Sequence, residues 1–421
     1  MSNISIIYLN AISFTFMFLF LYWKNKNLTI GVYLLAWYTV FAWFSVLYFK
    51  TDLFHYFRGY EKIRLLPFLY LVVTILLYMY PILKFDSSKI KYIKVADPHI
   101  LFKFIILMLF MQALVYIGTF PSVLKAALSP SIGDLRDTFY DDDKGIVYSN
   151  IIFQKLAVLN SGMANINIIV SSYSLVFMNI KRKLIKLYFI SSFLLPLYIY
   201  FALANRFVMM IQLGWSIFIF ILLLSFISRK VKKKFTIYIT GISIPILALF
   251  FYISNSRFGN TALYMFYKYC GESFINYNAD FFYDLKGQTS GSAYFTVFSK
   301  WLGHKNNFTT LREKWAYIDN ITGIDSHVFY TFVGGFNIEF GFIATIFIGL
   351  SSSFLIYKYL RPFSILTLSK MIVIGMLGLT LLKGVFLFPL QGGGNIELLF
   401  TIIAALLFKR IETREKIRKV E

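Results

Sequence analysis

Six residues pair a reactive side chain with a position that could put it to use. Arg206 stands in Phe201-Ala202-Leu203-Ala204-Asn205-Arg206-Phe207, a tight turn between two apolar runs. A guanidinium is a planar fork of donors that grips phosphate oxygens at two points. The same side chain can also snorkel to phospholipid head groups with no further role. Arg257 follows another apolar run, in Ser254-Asn255-Ser256-Arg257-Phe258-Gly259. Arg136 and Arg312 lie in two long polar stretches. For these three, a solvated or lipid-facing charge is the competing reading. His327, in Asp325-Ser326-His327-Val328-Phe329-Tyr330, can exchange a proton near neutral pH, and Asp325 could orient its ring. Glu339, in Asn337-Ile338-Glu339-Phe340-Gly341-Phe342, is one of two acidic residues inside apolar runs, the other being Glu397. A carboxylate in such a place is costly and points to function by default. Its structural alternative is a pair with Lys383 that pins two helices. On one continuous helix, His327 and Glu339 would be separated by roughly 18 Å of rise. They can share a proton transfer only if the helix begins after His327.

These residues need elements to hold them. A bilayer core of roughly 30 Å takes about 20 apolar residues of helix. Runs of that kind fall near Ile4–Trp23, Thr29–Phe49, Leu65–Leu83, Ile100–Phe120, Leu156–Ile180 and Leu187–Leu203. Others fall near Phe207–Ser228, Phe235–Ser254, Val333–Tyr357, Met371–Leu390 and Ile396–Phe408. The expectation is an all-α polytopic membrane protein of about eleven spans, a single integral membrane domain over residues 1–421. The least regular run is Leu156–Ile180, which holds Asn160, Asn165 and Asn167. The N-terminus lacks a basic start and a small-residue cleavage site, so it reads as a retained first span.

Composition agrees. Of 421 residues, 58% are hydrophobic and 15% charged, too few charges to cover a water-facing surface. The net charge of +22 would suggest nucleic acid in a soluble protein. Here it gathers in alternate loops. Lys24 and Lys26, Lys84–Lys94, Lys181–Lys186, Arg229–Lys234, Lys358–Lys370 and the tail from Lys409 are markedly basic. By the positive-inside rule these face the cytoplasm, with the N-terminus outside and the C-terminus inside. Residues 121–154 and 255–326 then become large outer loops, and a loop as long as the second usually has a function. Cys270 is the sole cysteine, so disulfide frameworks and dithiol chemistry are excluded. The four histidines are scattered, which argues against a His-based metal cage. The inner loops hold no nucleotide-binding glycine motif. Gln391-Gly392-Gly393-Gly394-Asn395 reads as an outer helix-hairpin turn whose amides could approach an anion. The aromatic stretch Tyr264–Tyr283 could stack on sugars or lie along the membrane surface. The Asp141–Asp143 run is the one acidic cluster of metal-binding type on the outer side.

The arrangement resembles the bacterial O-antigen and oligosaccharide-repeat-unit polymerases (Wzy-type), and more distantly the O-antigen ligases. The resemblance rests on the Arg206 turn, the late outer loop, and Ser326-His327-Val328-Phe329-Tyr330-Thr331-Phe332 leading to Ile338-Glu339-Phe340-Gly341-Phe342-Ile343-Ala344. Ala344 stands where the family usually has a second small residue, and Val328 where Asn often follows the His in ligases.

The resemblance implies a metal- and nucleotide-independent glycosyltransferase at the periplasmic face of the inner membrane. It would join undecaprenyl-pyrophosphate-linked repeat units into O-antigen or capsular polysaccharide. Donor and acceptor would both be lipid-linked glycans, the surrounding lipid a partner, and a chain-length regulator a further candidate partner. No nucleic acid and no cofactor are implied. Arg206, Arg257, Arg136 and Arg312 would bind the pyrophosphate, and His327 or Glu339 would serve as base. A ligase-type transferase and a flippase or exporter of lipid-linked sugars are the alternatives. The flippase reading fits less well with the long outer loop, and with the lack of acidic residues in the middle of the first eight runs.

Overall fold

The computed structural model describes the chain except residues 1, 59–61, 129–150, 179–180, 203–205, 230–231, 234–235, 238–240, 242–243, 245–247, 249–250, 253, 256–257, 302, 304–307, 309–310, 413–416 and 420–421. Its helices in chain order are α1 (Asn3–Asn25), α2 (Ile30–Phe49), α3 (Asp52–Arg58), α4 (Leu65–Leu83), α5 (Pro98–Leu128), α6 (Ile151–Phe177) and α7 (Arg182–Ala202). They continue as α8 (Arg206–Leu223), α9 (Ala262–Asn276), α10 (Thr296–Trp301), α11 (Leu311–Thr322), α12 (Phe332–Leu360), α13 (Leu368–Lys383) and α14 (Gly393–Glu412). Among the described residues, five helical segments are long and apolar enough to cross a bilayer: Asn3–Asn25, Ile30–Phe49, Leu65–Lys89, Pro98–Lys125 and Phe332–Leu360. The protein is therefore largely helical, with the character of a multi-pass membrane protein. The expected run Phe235–Ser254 falls mostly outside the described residues.

The chain forms two compact units. The first contains residues 1–85, 258–359 and 380–395. Ser2 caps α1 by accepting the Ser5 amide, and Thr29 caps α2 by accepting the Val32 amide. Lys26 closes α1 in the left-handed region, which allows the short turn into α2. The expected outer loop 255–326 does not stay apart from these helices, because α9 packs along α2. Gly271 makes this possible, since a Cβ there would overlap the Phe44 carbonyl. Ser45 Oγ donates to the Gly271 carbonyl at 2.7 Å. Phe14, Tyr38 and Phe274 form an aromatic cluster in the same layer. In hydrocarbon, close van der Waals packing of this kind is what holds helices together, because burial from water no longer helps.

The expected single span Val333–Tyr357 proves to be two helices joined at Gly341, where φ is 77° and ψ is 174°. Phe332 and Phe336 of the first half touch Tyr78 of α4, and Asn337 bonds Tyr70. The second half begins at Tyr70, which donates to the Phe342 carbonyl at 2.7 Å. It continues past Tyr78 at Thr345 and reaches Tyr80 at Tyr357. Both halves thus contact the same stretch of α4. A left-handed residue with an extended ψ breaks a helix, and only glycine adopts it readily.

The second unit contains residues 86–257, 360–379 and 396–421. Its α5, α6 and α7 pack on one another. The asparagines that made Leu156–Ile180 irregular as a span are buried in α6. Asn167 accepts from Tyr188 at 2.8 Å, and Asn165 donates to Glu397. Glu397, the second acidic residue of the apolar runs, is therefore a helix-to-helix contact. Glu412 accepts from both the amide and the hydroxyl of Ser369, at 2.8 Å each, and so caps the start of α13. The sequence reading contained no strands, but this unit has a small sheet. β1 (Tyr92–Lys94) pairs parallel with β2 (Ile365–Thr367) and antiparallel with β3 (Ile417–Lys419).

Candidate functional site

The site in the first unit is built on the C-terminal turn of the first half of α12. Because the helix stops at Gly341, the carbonyls of its last turn need donors from elsewhere. The segment 289–294 supplies them: Thr289 N donates to Ile338 O and Ser290 N to Glu339 O, each at 2.9 Å. The Glu339 side chain completes the joint. Its Oε2 accepts from Thr289 Oγ1 at 2.5 Å and from Gly291 N at 2.7 Å, and its Oε1 accepts from Tyr294 N. Glu339 is fully buried. Among the described residues its hydrogen bonds go to this turn, and Lys383, the alternative partner, is not among them. A buried carboxylate is tolerated when donors surround it in this way.

Tyr294 links the turn to the rest of the site. Its hydroxyl meets that of Tyr330 at 2.5 Å, and its carbonyl accepts from Asn395 Nδ2 at 2.6 Å. The Lys314 ammonium lies over its ring, 4.4 Å from the centroid. Lys314 also donates to Gln391 Oε1 at 3.2 Å, which ties α11 to the glycine-rich turn. Burial pushes the Lys314 ammonium down to about 8, while the Glu339 carboxylate acts in the opposite sense. Burial raises the Tyr294 hydroxyl well above its ordinary value, and the neighbouring Tyr330 adds to the effect. The arrangement is a partly buried cation over the Tyr294 ring and a buried anion on the Tyr294 amide, beside the turn Gln391–Asn395.

His327 meets α11 at Trp315 and Asp319. Its ring packs against Trp315, tilted by 44° with centroids 4.4 Å apart, and its Nε2 lies 3.8 Å from Asp319 Oδ2. Asp325, expected to orient the ring, instead accepts the His327 backbone amide at 2.9 Å. That contact closes a local turn, and the carboxylate facing the ring nitrogen is that of Asp319. Asp319, Asp325 and His327 each bring one ligand atom within 4.8 Å of the others. They are the described residues best placed to hold a cation. Their spread is wider than metal–ligand bonds of about 2.0–2.2 Å would leave in a closed zinc site. The helix does begin after His327, at Phe332. Even so, His327 and Glu339 engage different partners, His327 those of α11 and Glu339 those of the segment 289–294.

Arg312 is exposed on the first turn of α11. The backbone of Arg206 opens α8, and its side chain and the preceding residues 203–205 lie outside the described residues. Arg136 and Arg257 also lie outside them. Lys314, Tyr294 and Tyr330 were not anticipated. For Lys314 a signal existed: it shares a four-residue spacing with Ile318 and Thr322, both buried, on the inward face of an amphipathic helix. Tyr294 carried none, since its place depends on a turn that only the Gly341 break calls for. The chain matches no protein-family model, no curated protein and no solved structure.

Proposed function

We propose that this protein is a membrane glycosyltransferase that polymerises undecaprenyl-pyrophosphate-linked oligosaccharide repeat units. The observation that carries the reading is the site just described, where a long loop folds back onto a broken membrane helix. There it holds Lys314, Glu339, Tyr294 and Tyr330 together beside His327. In the proposed reaction an acceptor hydroxyl attacks the anomeric carbon of the donor. The carbon–oxygen bond to pyrophosphate breaks, lipid pyrophosphate leaves, and the hydroxyl proton passes to a base. His327 is the candidate base, being exposed and paired with a carboxylate. Glu339 acts by positioning, since its carboxylate is engaged with three donors. Arg206, Arg257, Arg136 and Arg312 remain the candidates for holding the leaving pyrophosphate, where preorganised positive charge lowers the barrier.

The test is a gel of lipid-linked glycan from a strain lacking the gene, complemented with wild type or with Arg206→Ala. The expected outcome is single repeat units on the lipid carrier in the deletion and the variant, and long chains with wild type. Normal chain-length ladders in the deletion strain would refute the polymerase reading. Normal ladders with Arg206→Ala alone would remove that residue from the leaving-group role.

A further inference from the structure

Lys314 carries a charge that nothing answers at contact range. Its ammonium has three N–H donors. It makes one hydrogen bond, to the neutral Gln391 Oε1 at 3.2 Å, and lies over the face of Tyr294. Among the described residues, no carboxylate is in ion-pair contact with it. The neighbouring residues outside the described ones, 302, 304–307 and 309–310, include no Asp or Glu. Glu339 acts on Lys314 only through space, its two oxygens being engaged with Thr289, Gly291 and Tyr294. Burial lowers the ammonium to about 8, which leaves it mostly charged at neutral pH.

The surroundings leave room for an acceptor. Lys314 is partly exposed, and Gly392 and Gly393, next to Gln391, are exposed. A Cβ on either glycine would touch nothing within 4 Å. Trp315, the next residue along α11, carries the ring of His327, the candidate base. The charge of the joint selects among anions. One ammonium stands against one buried carboxylate, so these two groups together carry no net positive charge. A phosphate or pyrophosphate of two or more charges would meet the field of Glu339 with a single opposing cation. A carboxylate matches that cation one to one, and partial burial strengthens the attraction between them.

We propose that Lys314 binds a sugar carboxylate, so that the repeat unit joined by this protein is an acidic oligosaccharide. The carboxylate takes the ammonium donor that Gln391 and Tyr294 leave free, entering from the open side at Gly392 and Gly393. This names the substrate class of the site beside His327, and it rests on the polymerase reading.

The test uses purified full-length protein and single lipid-linked repeat units collected from the deletion strain. The units are supplied native or with their carboxyl groups reduced to alcohols. Sugar analysis of the native units should find a carboxylated sugar. Losing one charge-assisted hydrogen bond costs roughly 10- to 150-fold. Wild type should therefore polymerise native units with a kcat/KM higher than that for reduced units by this factor, mainly through KM. Lys314→Met should lose the preference and Lys314→Arg should keep it. The preference is a ratio within one protein, so a smaller folded fraction in a variant cancels. A neutral repeat unit, or one whose only anionic substituent is a phosphate, would overturn the proposal. So would equal use of native and reduced units by wild type, or a wild-type preference in Lys314→Met. Each of these results, in a protein that still builds long chains, leaves the polymerase reading standing. Normal ladders in the deletion strain would instead remove that reading and this proposal with it.

Discussion

Replacing Glu339 with glutamine tests whether this carboxylate holds the outer turn in place. Glutamine keeps one acceptor oxygen and turns the other into a donor. Oriented to keep Thr289 Oγ1 and Gly291 N, it faces its amino group towards the Tyr294 amide, and those two donors cannot bond. In the reverse orientation the Thr289 hydroxyl can turn to accept from the amino group, and the Gly291 amide is the donor left stranded. Either way one buried backbone donor is left unsatisfied, at about 1–3 kcal/mol. The two remaining bonds lose their charge assistance, at about 1 kcal/mol together. The opening equilibrium of the turn should therefore shift by about 2–4 kcal/mol, or roughly 30- to 1000-fold. Lys286 and Lys300 flank the turn and offer tryptic sites. When reclosing is faster than cleavage, the cutting rate follows the open population. Limited trypsinolysis of the detergent-solubilised protein should then show Glu339→Gln cut at these sites about thirty-fold faster or more. Thr289→Val, which removes the hydroxyl shared between Glu339 and the Ile338 carbonyl, should fall between the variant and wild type. A rate for Glu339→Gln within about threefold of wild type would refute the argument that this carboxylate organises the turn.

Two further outcomes follow from the same region. Gly341→Ala puts a Cβ on a backbone with φ of 77° and into the space of the Gln288 amide. It should destabilise the protein by about 1–3 kcal/mol or more, seen as a lower apparent melting temperature in detergent; an unchanged melting curve would count against the break. Lys314 titrates near 8 in the fold, below the ~10.4 of an unfolded lysine, so between those values the unfolded chain holds more protons. Wild type should therefore gain stability relative to Lys314→Met as pH rises from about 8 towards 10. A difference in melting temperature that stays constant over that range would contradict the burial of this ammonium.

Much of the architecture could be read directly from the chain. The apolar runs near Ile4–Trp23, Thr29–Phe49, Leu65–Leu83 and Ile100–Phe120 correspond to helices that can cross a bilayer. The run Leu156–Ile180 corresponds to the helix Ile151–Phe177, and two of the asparagines that made it the least regular meet Tyr188 and Glu397. The three short strands were invisible because each has three residues, and pairing joins positions hundreds of residues apart. Within the site, Glu339 and His327 stood out by residue type and by position relative to an apolar run. Their roles did not, because Glu339 and Lys383 looked equally deep, and Asp325 looked nearer to His327 than Asp319.

What the sequence determined by itself is the membrane character of the chain and the residues able to do chemistry, because both follow from local composition and spacing. Only the tertiary structure decided which of those residues meet. A helix broken at Gly341 leaves carbonyls without donors, and the chain must return some fifty residues of loop to supply them. That return brings Tyr294 under Lys314 and encloses Glu339. The pairing of a buried anion with a distant cation depends on long-range contacts, and no local pattern of residues encodes those.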